Sequence, residues 1–135
     1  MPTYIAPTAN VFSDAWVSGD AQVSGNARVS GNARVSGNAQ VSGNAQVSGN
    51  AWVSGGGRIS APGDYIVVGP AISSGRWTTA HKDDSIGVRV NTGCFSGTVA
   101  EFEQSILATH AEGTPARHQY MGFLALIKHH FNLET

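Results

Sequence analysis

A six-residue period constrains this chain more than any other feature. Valine recurs at Val11, Val17, Val23, Val29, Val35, Val41, Val47 and Val53, and Ile59 keeps the register. Alanine stands two places before each valine from Ala9 to Ala51. Serine follows the valine from Ser18 to Ser60, then glycine from Gly19 to Gly55, then Asp14, Asp20 or Asn26 to Asn50. The unit is Val-Ser-Gly-(Asn/Asp)-Ala-x. One β-branched residue per unit, between polar or variable neighbours, describes a very short strand with a single inward side chain. Gly-Asn and Gly-Asp supply corners, because both tolerate positive φ. Alanine fits a tight interior corner. One unit buries too little to be stable, so units must stack and bury a continuous valine column.

Composition narrows the partners. The chain of 135 residues allows one compact domain, or one small domain with an appendage. Charged residues are 13% with net charge −1, so no basic footprint for DNA or RNA is visible. Cys94 is the single cysteine, which excludes an intrachain disulfide and fits a reducing compartment. Met1 to Asn10 does not read as a secretory leader, and no run approaches the roughly 18 apolar residues of a membrane span. The expectation is a soluble, cytoplasmic protein without a membrane partner.

The Val-Ser-Gly-Asn-Ala-x unit resembles the repeat of hexapeptide-repeat proteins. That resemblance implies a mainly β chain: a left-handed parallel β-helix with three hexads per coil, about three coils over residues 9–60. It also implies that positions eighteen apart stack, which places Trp16, Arg34 and Trp52 on one outward face. Neighbouring coils lie about 4.8 Å apart, so the Arg34 guanidinium is expected between two indoles, a contact of about 0.5–2 kcal/mol. Such a face reads as a solvated ladder, as a subunit interface, where aromatics and arginine are enriched, or as a direct ligand contact. Trimers are common in the resembled fold, and a homo-oligomer, with a trimer favoured, is the expectation.

The repeat degrades at Gly55-Gly56-Gly57 and stops near Ala61-Pro62-Gly63, dividing the chain into 1–61 and 62–135. Tyr65–Gly69, Arg76–Ala80 and Ile86–Val90 read as strands, with turns at 73–75 and 82–85. Thr98-Val99-Ala100-Glu101 is a capping box opening a helix with Phe102, Ile106 and Leu107 as its apolar stripe and Gly113 as its end. Thr114 caps a second helix with Pro115 at its first position and Tyr120, Phe123, Leu124, Ile127 and Phe131 on one face. The C-terminal part is thus a small α+β unit of short strands plus two helices. Its simplest role is to cap the open end of the β-helix, since an uncapped coil is an adhesive edge. The run from Asn91 to Thr98, followed by Glu101-Phe102 and a helix ending at Thr109-His110, is similar to the C-terminal region of small hexapeptide-repeat proteins of phages and prophages.

Hexapeptide carbonic anhydrases take their histidines from the coils, but His81, His110, His118, His129 and His130 all follow the repeat. None has the i, i+4 spacing of a helical metal site. No metal, no cofactor and no catalytic set is assigned. His81 and His110 are the only plausible bases for an acyltransferase-like chemistry. Cys94 is either a nucleophile near a helix N-terminus or a small packed side chain. Anion binding has the stronger pattern. The loop Gly93–Gly97 enters a helix N-terminus, Arg76, Arg89 and Arg117 supply charge, and Trp77, Phe95 and Tyr120 supply stacking surfaces. Thr78, Thr79 and Thr98 offer hydroxyls, and His81, Cys94 and His110 complete the candidate ligand-binding set. The competing reading makes the aromatics core and the arginines solvated.

These features point to a non-enzymatic oligomer that sequesters a small anionic ligand. Its sharpest form is a phage or prophage sponge for a cyclic nucleotide signal of host immunity. The rivals are an acyltransferase-like enzyme and a structural trimer of the virion or tail.

Overall fold

The computed structural model describes residues 3–12, 14–72, 74–92 and 95–133. Cys94 and the start of the expected phosphate loop at Gly93 lie outside them.

The repeat forms a parallel β-solenoid. Its two-residue strands are β1 (Tyr4–Ile5), β2 (Asn10–Val11), β3 (Trp16–Val17), β4 (Gln22–Val23), β5 (Arg28–Val29), β6 (Arg34–Val35), β7 (Gln40–Val41), β8 (Gln46–Val47), β9 (Trp52–Val53) and β10 (Arg58–Ile59). They line up as three parallel sheets, β1-β4-β7-β10, β2-β5-β8 and β3-β6-β9, with Val17 opposite Val35 and Val35 opposite Val53. This is a solenoid of about three turns. It begins one unit earlier than the valines announce, because Ile5 occupies the inward register.

Each rung hands its amides to the next. Arg34 N–H donates to Ala51 O at 2.8 Å and Ser36 N–H to Val53 O at 2.9 Å. Val23, Val29, Val35, Val41, Val47 and Val53 are fully buried against alanines 21 to 51. Burying each valine contributes about 1.5–3 kcal/mol relative to exposure, which a lone hexad could not accumulate.

After a 3-10 turn at Pro62–Asp64 the chain enters an antiparallel sheet of order β11 (Tyr65–Val68), β12 (Thr78–Asp83), β13 (Gly87–Thr92) and β14 (Phe95–Thr98). The strands expected at 76–80 and 86–90 are therefore shifted: Arg76 and Trp77 precede β12, and the turn falls after Asp83. β14 was not expected at all. The segment read as a phosphate loop is partly a sheet edge, pairing Gly97 with Val90 and Ser96 with Asn91.

Helix α1 (Val99–Thr109) starts on the expected box, with Thr98 Oγ1 accepting from Glu101 N–H and Glu101 Oε1 accepting from Thr98 N–H. It stops four residues before Gly113, and Leu107 is 39% exposed, outside the stripe. Helix α2 (Pro115–His130) starts on Thr114 and buries Tyr120, Phe123, Leu124 and Ile127.

The molecule is therefore layered as solenoid, sheet and helices. Alternation along β12 and β13 separates two faces. Ala80, Val88 and Val90 pack with Phe102, Ile106 and the α2 stripe. Thr79, His81, Asp83, Arg89 and Asn91 face the solenoid. Tyr65 and Val67 of β11 pack against the solenoid core, and Ile66 and Val68 against the helical one.

Candidate ligand-binding site

The solenoid end explains where several candidate residues go. Even-numbered residues of the last coil point backbone groups at an absent fourth turn, and buried backbone groups must find partners. Side chains of the sheet replace that turn. Thr79 Oγ1 accepts from Trp52 N–H at 3.0 Å, His81 Nε2 from Ser54 N–H at 3.2 Å and Asp83 Oδ2 from Gly56 N–H at 3.1 Å. Asn91 Nδ2 donates to Trp52 O at 2.9 Å, and Asp84 N–H donates to Gly56 O at 3.0 Å. At the end of the coil, Asp64 Oδ2 accepts from Ser60 N–H at 2.9 Å and Ala61 N–H at 3.1 Å. The C-terminal unit thus caps its own solenoid.

His81 has no free nitrogen in this arrangement. Its Nδ1–H donates to Lys82 O at 2.8 Å, which leaves Nε2 as the acceptor for Ser54 and Asn91. Thr79 and His81 are buried cap residues, so neither presents a hydroxyl or a base to a ligand. Thr78 is buried on the other face, and its Oγ1 has no partner among the described residues. Thr98 is occupied as a helix cap, and the Glu101 carboxylate covers that N-terminus, which argues against an anion there. Asn91 and Asp83 were missed by sequence reasoning. The signal was present: Thr79, His81 and Asp83 alternate with period two, a polar stripe where a core-facing strand should be apolar.

Burial holds the His81 imidazole below its usual range. Burial would raise the Asp83 carboxyl, but hydrogen bonds from Ser85 and Arg89 outweigh it and hold the group well below the carboxylate range. Both groups bind fewer protons folded than unfolded as the pH falls, so both contributions exist above the unfolded pKa and fade below it. Unfolding free energy should therefore be flat above about pH 6.5, decline below it, and decline again below about pH 4. Urea titrations from pH 8 to 3 test this; equal stability at pH 7 and pH 5 contradicts the neutral, locked His81.

The remaining candidates gather elsewhere. Arg76, Phe95, His110 and Tyr120 line one cavity of about 230 Å³ between the sheet and the helices. Phe95 and Phe102 have centroids 5.8 Å apart, and His110 lies on Tyr120 at 4.9 Å and 12°. Phe102 and Tyr120 are core residues, 2% and 7% exposed, so Phe95 and His110 are the rings presented to the cavity and Tyr120 is not the stacking surface expected of it. Ser74, Thr92, Ser105 and Thr109 supply polar groups at its wall. Arg117 does not line it; its Nη1 donates to His110 O at 3.2 Å and anchors that corner. Arg89 is also elsewhere, paired with Asp83 at 2.7 Å and donating to Ser96 at 3.0 Å.

Trp16, Arg34 and Trp52 do share one face, in register across β3, β6 and β9. The expected stack is not formed: the Trp52 indole N–H donates to Ser36 Oγ at 3.4 Å, and no cation–π contact joins Arg34 to either ring. Two shallow grooves flank this face. One, about 430 Å³, lies among Trp16, Ser18, Arg34, Ser36 and Trp52. The other, about 480 Å³, runs from Arg34 and Trp52 to Arg76 and Trp77.

Charge sorts these residues further. Arg58, Lys82, Arg89 and Lys128 each pair with a carboxylate. The guanidinium groups of Arg28, Arg34, Arg76 and Arg117 have no carboxylate partner among the described residues, and of these Arg34 and Arg76 line the second groove. Among the described residues no group of three or more His, Cys, Asp or Glu is placed to hold a metal, and no helix is long and apolar enough to cross a membrane.

These features define a class: a short parallel β-solenoid closed at one end by the side chains of an appended α+β unit. More particularly, residues 21–37, 27–43, 39–55 and 45–60 match the YdcK beta solenoid repeat. The match describes the repeat and stops before the sheet and helices. No curated protein and no solved structure matches the chain.

Proposed function

We propose that this chain is a non-enzymatic binding protein for a small anionic ligand with a planar base, held between the sheet and the helices. The observation that carries this reading is the convergence of Arg76, Phe95, His110 and Tyr120 on one cavity, with the Arg76 guanidinium unpaired. Two partly exposed rings, Phe95 and His110, with a cation beside them suit a nucleotide. The engagement of both His81 nitrogens favours binding over turnover, because it removes one of two histidines available as a base. In its sharpest form the protein is a phage-encoded sponge that withholds a cyclic nucleotide signal from host immunity, a reading supported by the resemblance of residues 91–110 to phage and prophage proteins.

The assembly is a homo-oligomer, with a trimer favoured, packed through the Trp16 side of the solenoid. Trp16 is 65% exposed, and burying so large an aromatic surface supplies a strong anchor.

Titration with a panel of mono- and cyclic nucleotides tests the function. Micromolar binding, intact nucleotide recovered after denaturation, and a loss of about tenfold or more in Arg76→Ala are expected. Modified nucleotide would instead establish an enzyme, and no binding across the panel would leave the structural reading. Light scattering of Trp16→Ser should show a lower mass than wild type; an unchanged mass removes the interface.

A further inference from the structure

The space beneath Arg76 leaves no room for more than a single nucleotide. At about 230 Å³ it falls short of the roughly 300–1,000 Å³ typical of sites that enclose drug-sized molecules. Arg76 also lines the neighbouring groove of about 480 Å³ with Arg34, Trp52 and Trp77. One unpaired guanidinium therefore stands where two aromatic-walled spaces meet. On one side are Phe95 and His110; on the other are Trp77, 39% exposed, and Trp52.

We propose that the ligand is a dinucleotide spanning both spaces. One base lies against Phe95 and His110, the other against the Trp77 indole, and the phosphodiester between them sits at Arg76. Arg34 adds a second cation on the tryptophan side, where a second phosphate of a cyclic dinucleotide falls. Each stacked base contributes independently of its identity, because every base has a π-face. The arrangement therefore selects for the number of bases and the phosphate between them more than for base type. The proposal rests on the nucleotide reading above and adds the second subsite.

The experiment is calorimetric titration of the full chain with adenine, guanine, cytosine and uracil mononucleotides, with their linear and cyclic dinucleotides, and with a single-stranded ten-nucleotide RNA. A dinucleotide should bind at least about tenfold more tightly than its mononucleotide. Trp77→Ala should reduce that gain to less than about twofold, whereas Arg76→Ala should weaken mononucleotide and dinucleotide alike. Equal affinity for mono- and dinucleotides overturns the second subsite and leaves the single-nucleotide reading standing. Tighter binding of the longer RNA overturns it in favour of a strand-binding groove. Absence of binding by every probe overturns the nucleotide reading itself.

Discussion

A His81→Leu chain should lose about 3–5 kcal/mol of unfolding free energy relative to wild type, measured by urea denaturation at pH 7.5. The side-chain volumes are similar, so the loss is chiefly polar. Leucine leaves Ser54 N–H, the Asn91 amide and Lys82 O each without the partner that the imidazole supplies. A buried donor or acceptor left unsatisfied costs about 1–3 kcal/mol, and an entire domain is stable by only about 5–15 kcal/mol. Where the leucine chain does not fold, Thr79→Val carries the same test at lower severity. It removes one acceptor, that of Trp52 N–H, in a side chain of the same shape, and about 1–3 kcal/mol should be lost. A loss below about 0.5 kcal/mol in the valine variant would show that water reaches the last rung. The sheet would then be an attached neighbour of the solenoid and not its final turn. The leucine variant should also lose the decline in stability between pH 6.5 and 5, since that decline belongs to the imidazole.

What was legible in the sequence follows from what each feature depends on. The solenoid is a local, periodic structure, so Val23 to Val53 announced its core and the spacing of Trp16, Arg34 and Trp52 announced a shared face. The helix starts were legible for the same reason, since Thr98 with Glu101 and Thr114 with Pro115 act within a single turn. The cap was foreseen as a role but not as a set of residues. Thr79, His81, Asp83 and Asn91 are chosen by backbone groups more than twenty residues away in sequence, and their hydroxyl, imidazole, carboxylate and amide look like a ligand site when the solenoid end is out of view. Strand β14 was hidden because Phe95-Ser96-Gly97-Thr98 has a glycine where a strand former is expected. A Cβ at Gly97 would come within 2.7 Å of the Glu101 carboxylate and would shift the group that caps α1. The convergence of Arg76, Phe95, His110 and Tyr120 was guessed from chemical type alone. Their sharing one cavity depends on how α1 and α2 pack on the sheet.

The glycine column separates two demands that the sequence pattern fuses, and a pair of alanine variants should divide them. Gly37 and Gly49 both hold the left-handed corner conformation, at φ of 63° and 64°. A Cβ at Gly49 meets nothing within 4 Å, whereas at Gly37 it would lie 2.8 Å from Gly55 N of the coil above. Gly49→Ala should therefore lose only the backbone strain of an L-residue in that region, about 1–2 kcal/mol. Gly37→Ala should lose that and, in addition, about 1–3 kcal/mol for a methyl group forced between stacked coils. The backbone of Gly55 cannot retreat, because its carbonyl accepts from Asn38 N–H at 2.8 Å and the Arg89 side chain packs against its other side. Unfolding free energies of the two variants, measured side by side, give the coil-stacking contribution as their difference. Equal losses would mean that the coils can spread to admit a methyl group. In that case glycine recurs at each corner for its backbone freedom alone, and the spacing between coils is set by the valine column and the amide ladder.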